Sequence, residues 1–257
     1  MATNGKLKGK SVLITGGGGG IGSSMARVFA ESGARVVITD VQESGRAVAE
    51  EVGGVFVQAD IADMDETRQM CRRVIELEGA VDILVNNAGL QRIAPVEEFP
   101  EDEWARLLQI MLIAPFQLTK YFVPRMKERG WGRIINLSSI HGLVASPYKS
   151  AYVSAKHGLI GLTKTVALEV GEFGITVNAI CPGYADTALV RSQIADQART
   201  RGMTEEEVVD KVMLEPAAIK RLVAPDEIAR LALFLASEDG RSITGATLPI
   251  DAGWTAR

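Results

Sequence analysis

The residues best suited to chemistry are clustered between positions 138 and 158, in the segment SSIHGLVASPYKSAYVSAKHG. This segment contains both histidines of the chain, together with two tyrosines and two lysines. Tyr152 and Lys156 are four residues apart on a predicted helix, so they share one face of it. A free tyrosine has a pKa of about 10, and a neighbouring ammonium group favours the phenolate form. The pair therefore predicts a tyrosine that exchanges a proton with a substrate.

Ser139 is the third group of this constellation. It ends a predicted strand 13 residues before Tyr152, and its hydroxyl can form a hydrogen bond with a substrate oxygen. A tyrosine and a lysine at this spacing are more often a surface pair than a catalytic pair. The catalytic interpretation gains weight because Ser139 and a predicted nucleotide site both precede the pair.

The elements that would position these residues alternate between strands and helices. The predicted strands cover 11–15, 34–40, 55–60, 81–87, 132–139, 175–181 and 246–251. The predicted helices cover about 21–31, 63–78, 101–128, 150–173, 184–215 and 224–237, and the third is expected to be distorted by Pro115 and Pro124. This alternation predicts an α/β fold, a single doubly wound parallel-sheet (Rossmann-like) domain over 1–257. Such sheets bind ligands at the carboxyl ends of their strands, where the motifs of this chain fall.

A glycine-rich segment, TGGGGGIG at 15–22, follows the first strand and opens a helix. Its backbone could approach a pyrophosphate closely, although a lone glycine-rich match could equally be a flexible turn. Asp40 closes the second strand 18 residues after Gly22, where a carboxylate accepts from both adenosine ribose hydroxyls and repels a 2′-phosphate. NAD is therefore favoured as the cofactor, while the nearby Arg46 keeps NADP open.

Two further strand ends have alternative interpretations. Asp60 ends the third strand and could accept from an adenine amino group or cap the next helix. The segment NNAG at 86–89 ends the fourth strand, where the backbone could pass close to a cofactor or form an ordinary turn. Both positions are predicted cofactor contacts.

Composition excludes several classes of function. The net charge is −4 with acids and bases interspersed, which argues against nucleic acid as the main partner. The two cysteines, Cys71 and Cys181, form no CxxC motif, so no disulfide framework or metal site is predicted, and a reducing cytoplasm fits. The polar N-terminus does not resemble a signal peptide, and no apolar run reaches the roughly 18 residues of a membrane span.

Taken together, these motifs resemble the classical short-chain dehydrogenase/reductase family over the full chain. The matching residues are TGGGGGIG, NNAG, Ser139, the YVSAK of 152–156, and the PG of 182–183. The resemblance implies that Tyr152 is the general acid/base, Lys156 holds the nicotinamide ribose and lowers the tyrosine pKa, and Ser139 orients the substrate. The predicted cofactor contacts are Gly16, Gly20, Ile21, Asp40, Asp60, Ile61, Asn87, Tyr152, Lys156, Pro182, Gly183 and Thr187.

Within this family the chain is similar to the bacterial D-3-hydroxybutyrate dehydrogenases. The shared stretches are NNAGLQ, GRIINLSSIHGLVAS, KSAYVSAKHG, NAICPGY and DAGWTAR. The resemblance implies a small hydroxy-acid substrate and a helical substrate lid at about 184–215. The implied substrate contacts are Gln91, Ser139, His141, Lys149, Tyr152 and Gln193. Taken singly, Gln91, His141, Lys149 and Gln193 could each be an ordinary loop or surface residue.

The chain departs from the family pattern at two places. Met111 stands seven residues after Trp104, where the family has an asparagine that supports a helix kink and a water path from the lysine. Tyr184 replaces a typical tryptophan, and LEPAAI at 214–219 lacks a usual Lys-Gln pair. These departures leave open a dehydrogenase for another small hydroxy acid, alcohol or ketone, or a low-activity NAD-binding scaffold.

Family members usually form tetramers through two long helices, so a homotetramer is expected. The apolar face of HGLIGLTKTVALEV at 157–170 is consistent with that contact, although a monomer core would show the same pattern. His157 is interpreted as a packing or interface residue, and Tyr148 as a packing residue.

Overall fold

The computed structural model describes residues 5–256, and within them seven strands form one parallel sheet. The strands are β1 (Ser11–Thr15), β2 (Arg35–Asp40), β3 (Val55–Gln58), β4 (Ile83–Asn86), β5 (Gly132–Leu137), β6 (Ile175–Pro182) and β7 (Thr247–Ile250). Their order is β3-β2-β1-β4-β5-β6-β7, and every neighbouring pair is parallel. The predicted doubly wound, Rossmann-like sheet is confirmed, and its order reverses between β1 and β4. Ligand sites lie at such a switch point, beyond the carboxyl ends of the strands.

The helices cover both faces of the sheet. They are α1 (Gly20–Glu31), α2 (Ser44–Glu51), α3 (Met64–Glu78), α4 (Glu101–Leu108), α5 (Ala114–Arg129), α6 (Ser150–Val170), α7 (Ala188–Arg201), α8 (Glu205–Val208) and α9 (Pro225–Ala236). The sequence analysis missed α2, whose segment SGRAVAEE offers only a short apolar face. It forms because Val48 and Ala49 pack against the β-sheet core.

The strands at the centre of the sheet are buried on both faces, because alternate side chains enter two separate cores. Leu13 and Leu84 pack with α3, α5 and α6, whereas Ile14 and Ile83 pack with α1 and α9. Full burial of one such side chain contributes roughly 1.5–3 kcal/mol. This two-sided packing explains the continuous apolar runs and fixes the strand ends that carry the site.

The predicted distortion of the third long helix lies just before Pro115. Residues Gln109–Ile113 form one π-helical turn between α4 and α5, in which the Ala114 N–H donates to the Gln109 carbonyl. Pro124 lies inside α5 without ending it. On length and composition alone, Glu101–Arg129 could cross a membrane, with a mean hydropathy of 1.2, but 50% of the apolar window is buried inside this fold.

Candidate active site

The glycine-rich turn between β1 and α1 is held tightly against the end of β4. Gly16 has a φ of +64°, and a Cβ atom there would lie 2.8 Å from the Cα of Ala88. The Asn87 amide donates to the carbonyls of Thr15 and Gly16, both at 2.9 Å. The turn is therefore a fixed cradle of backbone that only glycine can line so closely.

Asp40 closes the neighbouring side of this cradle. Its Oδ2 accepts from the Gly18 N–H at 2.9 Å, and its Oδ1 accepts from the Gln42 N–H at 3.0 Å. Arg46 forms an ion pair with Glu43 at 2.8 Å and lies over the Phe56 ring. The Asp40 carboxylate thus faces the glycine turn. Arg46, the basic residue that could have favoured NADP, is paired with Glu43 instead.

Asp60 lies at the end of the cavity beyond β3. Its Oδ1 accepts from the Ala62 N–H at 2.9 Å, and its other oxygen is 4.0 Å from Arg106. The helix-cap alternative for Asp60 is wrong, because Asp63 caps α3 by accepting from two backbone N–H groups. Arg106 lines the same cavity and was not identified from the sequence, since an arginine on a polar helix face carries no motif.

A cavity of about 430 Å³ connects these groups with the catalytic candidates. Of the predicted cofactor contacts, it is lined by Gly16, Gly20, Ile21, Asp40, Asp60, Ile61, Asn87, Tyr152, Lys156, Pro182 and Thr187. Gly183 does not line it and packs against Asp251, where a Cβ atom would lie 3.0 Å from the aspartate Cα. A bare backbone cradle with an acidic rim at β2 fits the pyrophosphate and ribose of a dinucleotide.

Tyr152 and Lys156 project from α6 below the end of β5. The Lys156 ammonium donates to the Leu137 carbonyl at 2.6 Å and lies 5.5 Å from the centre of the Tyr152 ring. Burial raises the pKa of Tyr152, and a hydrogen bond with Ser139 opposes that rise. Burial also lowers the pKa of Lys156 to about 8. Burial therefore raises the pKa of Tyr152 in this structure, and the lowering expected from Lys156 stays a prediction.

Ser139 connects the catalytic end to the next part of the site. It caps a short 3₁₀ turn, and its Oγ accepts from the His141 N–H at 3.1 Å. The buried Lys149 ammonium donates to Nε2 of His141 at 3.2 Å. Burial lowers the pKa of His141 to about 4, reinforced by the neighbouring Lys149, and lowers the pKa of Lys149 to about 8. Near neutral pH the pair is a neutral imidazole beside a cation.

Polar atoms without partners accompany this pair. The Nδ1 atom of His141 and the Nε2 atom of Gln91 are both buried and have no hydrogen-bond partner in the structure. Buried polar atoms are rarely left unpaired, because each costs about 1–3 kcal/mol. Both residues belong to the predicted substrate contacts, so the unpaired atoms suit a polar ligand.

Three aromatic rings approach the His141 ring edge-on. The ring centres of Tyr152, Tyr184 and Trp254 lie 6.4, 6.5 and 6.0 Å from it. Trp254 was missed as a site residue, because its contact with His141 joins distant parts of the chain. The signal that could have identified it is the shared terminal stretch DAGWTAR.

The predicted lid consists of α7, α8 and a π-helical turn, Val209–Met213. Its apolar side chains form a small cluster of their own around Val190, Ile194 and Val208. Ala185 and Val223 pair as an isolated bridge at its base, and the Trp254 indole donates to the Met213 carbonyl at 3.1 Å. Gln193 lies half-buried on α7, and its contact with substrate remains a prediction.

Met111 is buried in the π-helical turn, on the same side of Gly89 as Lys156, the predicted catalytic lysine. A Cβ atom on Gly89 would lie 3.5 Å from the Met111 sulfur and 3.8 Å from the Lys156 ammonium. Pro115 has no N–H, so the Met111 carbonyl cannot receive the usual helical hydrogen bond from the residue four positions later. A helix irregularity, and a carbonyl that lacks its usual helical donor, are therefore both present without an asparagine.

Comparison with known proteins agrees with this arrangement. Residues 17–255 match a family model described as Enoyl-(Acyl carrier protein) reductase. The chain is 48% identical over 256 residues to the D-beta-hydroxybutyrate dehydrogenase of Rhizobium meliloti (strain 1021), which covers 96% of this chain and 99% of the relative. It is 42% identical over 257 residues to the D-beta-hydroxybutyrate dehydrogenase of Cupriavidus necator, and this match covers 98% of this chain and 100% of the relative.

A third relative is the Uncharacterized oxidoreductase YxjF of Bacillus subtilis (strain 168), 46% identical over 253 residues and covering 95% of this chain and 98% of the relative. The matches to the family model and to these relatives extend over nearly the whole chain. They include both the cofactor cradle and the lid. The chain therefore belongs to the short-chain dehydrogenase/reductase family of oxidoreductases.

Proposed function

We propose that this oxidoreductase interconverts D-3-hydroxybutyrate and acetoacetate with NAD. The observation that carries the proposal is the buried pair of Lys149 and His141, 3.2 Å apart, beside the ring of Tyr152. A buried ammonium group needs a compensating partner, and a substrate carboxylate supplies one within reach of the acid/base tyrosine. Two relatives that are named D-beta-hydroxybutyrate dehydrogenase support this choice of substrate.

NAD is proposed over NADP from the groups around the ribose end of the cradle. The Asp40 carboxylate would accept from the ribose hydroxyls and repel a 2′-phosphate. Arg46, the neighbouring cation, is paired with Glu43 and lies over Phe56. The 2′-phosphate of NADP would therefore be repelled by the Asp40 carboxylate, and Arg46 is already paired with Glu43.

The proposed chemistry assigns one task to each polar group of the site. A bound nicotinamide would supply the hydride acceptor for oxidation and, in its reduced form, the hydride donor for reduction. Tyr152 takes the hydroxyl proton in the first direction and returns it in the second, while Ser139 orients the oxygen. Lys149 and His141 would hold the carboxylate, and Trp254, whose ring lies edge-on to that of His141, would pack beside them.

The test is absorbance at 340 nm with NAD or NADP and a panel of small hydroxy acids and neutral alcohols. We expect D-3-hydroxybutyrate to have the highest kcat/KM, with NAD preferred over NADP. A higher kcat/KM for another hydroxy acid would favour the second candidate, a related dehydrogenase with a different substrate. The reasons for considering it are Tyr184 and the missing Lys-Gln pair, the two departures in the lid. Tight NAD binding without turnover of any compound would mean a scaffold.

The affinity for the substrate should depend on the ionisation of Lys149. Its pKa is lowered to about 8 by burial, so the ammonium is present below that pH and lost above it. We expect KM for the hydroxy acid to rise through pH 8, approaching about tenfold for each further pH unit. A neutral secondary alcohol measured in parallel should show no such rise. The same rise for both compounds would assign the titration to Lys156 instead.

Met111 should limit proton exchange between Lys156 and solvent. We expect Met111→Asn to raise kcat of oxidation severalfold, because the amide adds a hydrogen-bonding group beside the carbonyl that is already available. The measurement is the pH–rate profile of kcat, with Met111→Leu as the size-matched control. An unchanged profile in the asparagine variant would show that the carbonyl alone suffices.

We also propose a homotetramer located in the cytoplasm. Phe116 on α5 and Leu168 on α6 are 50% and 89% exposed, which is unusual for such large apolar side chains on long helices. His157 is exposed on α6, in keeping with an interface role.

The proposed location in the cytoplasm rests on the cysteines. Cys71 and Cys181 are both buried and free of disulfides, as suits a reducing compartment.

A further inference from the structure

Tyr148 directly precedes Lys149 and has a backbone conformation that L-residues rarely adopt. Its φ is +67°, in the left-handed region. Among residues 5–256, Ala252 is the only other non-glycine residue with a positive φ. A tyrosine is disfavoured there because its Cβ approaches the following carbonyl oxygen. Such a conformation persists only where the surrounding structure holds it.

The side chain of Tyr148 does not explain this conformation. The tyrosine is 58% exposed, so the packing role expected from the sequence is wrong. The main chain is held instead. The Tyr148 carbonyl accepts from the Ala94 N–H at 3.0 Å, and the next carbonyl, of Lys149, accepts from the Val153 N–H at 2.9 Å. The turn therefore joins the segment after Gln91 to the first turn of α6.

The turn determines where the next side chain goes. Tyr148 faces solvent, whereas Lys149 is only 6% exposed and reaches Nε2 of His141 at 3.2 Å. An extended backbone at 148 would point the lysine in another direction. We propose that Tyr148 is a positioning residue, which acts through its left-handed backbone to direct Lys149 into the substrate pocket. The inference rests on the proposed function, in which Lys149 holds a carboxylate.

Three substitutions separate a backbone role from a side-chain role. Glycine and asparagine both tolerate the left-handed region, whereas valine, which is close in size to asparagine, resists it. We expect Tyr148→Gly and Tyr148→Asn to keep KM for D-3-hydroxybutyrate within about twofold of the wild type. Tyr148→Val should raise that KM about tenfold, with kcat and the Kd for NAD changed less than about twofold.

A second readout does not depend on turnover. In the protein without substrate, the rate at which an amine-reactive reagent labels Lys149 is followed by peptide mass spectrometry, with the exposed Lys8 as internal reference. We expect Lys149 to be labelled several times faster in Tyr148→Val than in the wild type or in Tyr148→Asn. If the wild type oxidises no hydroxy acid, the proposed function fails, and this labelling still decides the role of Tyr148.

Two results would overturn the inference. Equal behaviour of the valine and asparagine variants in both measurements would mean that the backbone conformation is unimportant. Loss of substrate binding in the glycine and asparagine variants would mean that the ring, not the backbone, is required. If the valine variant does not fold, Tyr148→Ala takes its place, since alanine also disfavours the left-handed region.

Discussion

Tyr152→Phe is expected to lower kcat for hydroxy-acid oxidation by about 10³-fold, because it removes the proposed proton acceptor. The ring packs against the core below α6 and is retained, so the fold and the Kd for NAD should stay nearly unchanged. His141 is a poor substitute as a base. Its pKa is lowered to about 4, and its Nε2 is already occupied by Lys149. The measurements are steady-state kcat, NAD binding by fluorescence, and thermal unfolding.

The matched control is Tyr121→Phe, which removes one hydroxyl from another tyrosine packed against the same core. It should keep kcat near the wild-type value. A Tyr152→Phe variant that retains more than about a tenth of wild-type kcat would reassign the acid/base role. In that case His141→Gln would be the next variant to measure.

Lys149→Met should raise KM for D-3-hydroxybutyrate by about 30- to 100-fold, which corresponds to the loss of a hydrogen bond between charged groups. Its kcat should change little, since the lysine contacts the carboxylate and not the reacting carbon. Burial lowers the pKa of Lys149, so the fold already disfavours the charged form. Replacement by an apolar side chain of similar length should therefore leave the melting temperature equal or higher.

The control for this variant is Lys8→Met, which removes an exposed lysine far from the site in the chain. It should leave KM unchanged. A neutral secondary alcohol, tested with both variants, should show no dependence on Lys149. If KM for the hydroxy acid is unaffected by Lys149→Met, the pocket does not select for a carboxylate, and the enzyme belongs to the alternative class of alcohol dehydrogenases.

Much of the fold could be predicted because its signals are local. The continuous apolar runs of β1 and β4 indicate strands buried on both faces, and the glycine turn after β1 marks the start of α1. The helix α2 was missed because its short amphipathic pattern gains stability only from packing. The π-helical turn was anticipated as a distortion near Pro115, but its type depends on backbone hydrogen bonds that periodicity does not encode.

The relative placement of the candidate site residues was predictable where they belong to one local motif. Ser139, Tyr152 and Lys156 lie together at the end of β5, as the strand–helix order indicated. The effect of burial on the pKa of Tyr152 was not predictable, because it depends on the assembled pocket. Trp254 was not predictable either, since it reaches His141 from more than a hundred residues away in sequence.

The lid leaves and rejoins the rest of the protein at neighbouring positions, because Ala185 and Val223 pair at its base. It also has its own apolar cluster. This makes it an exchangeable module. Evolution or a protein engineer could replace the segment between those two residues and so alter the proposed substrate preference, without touching the residues proposed to transfer the proton. A transplanted segment would have to keep a carbonyl at the place of Met213, so that Trp254 stays anchored.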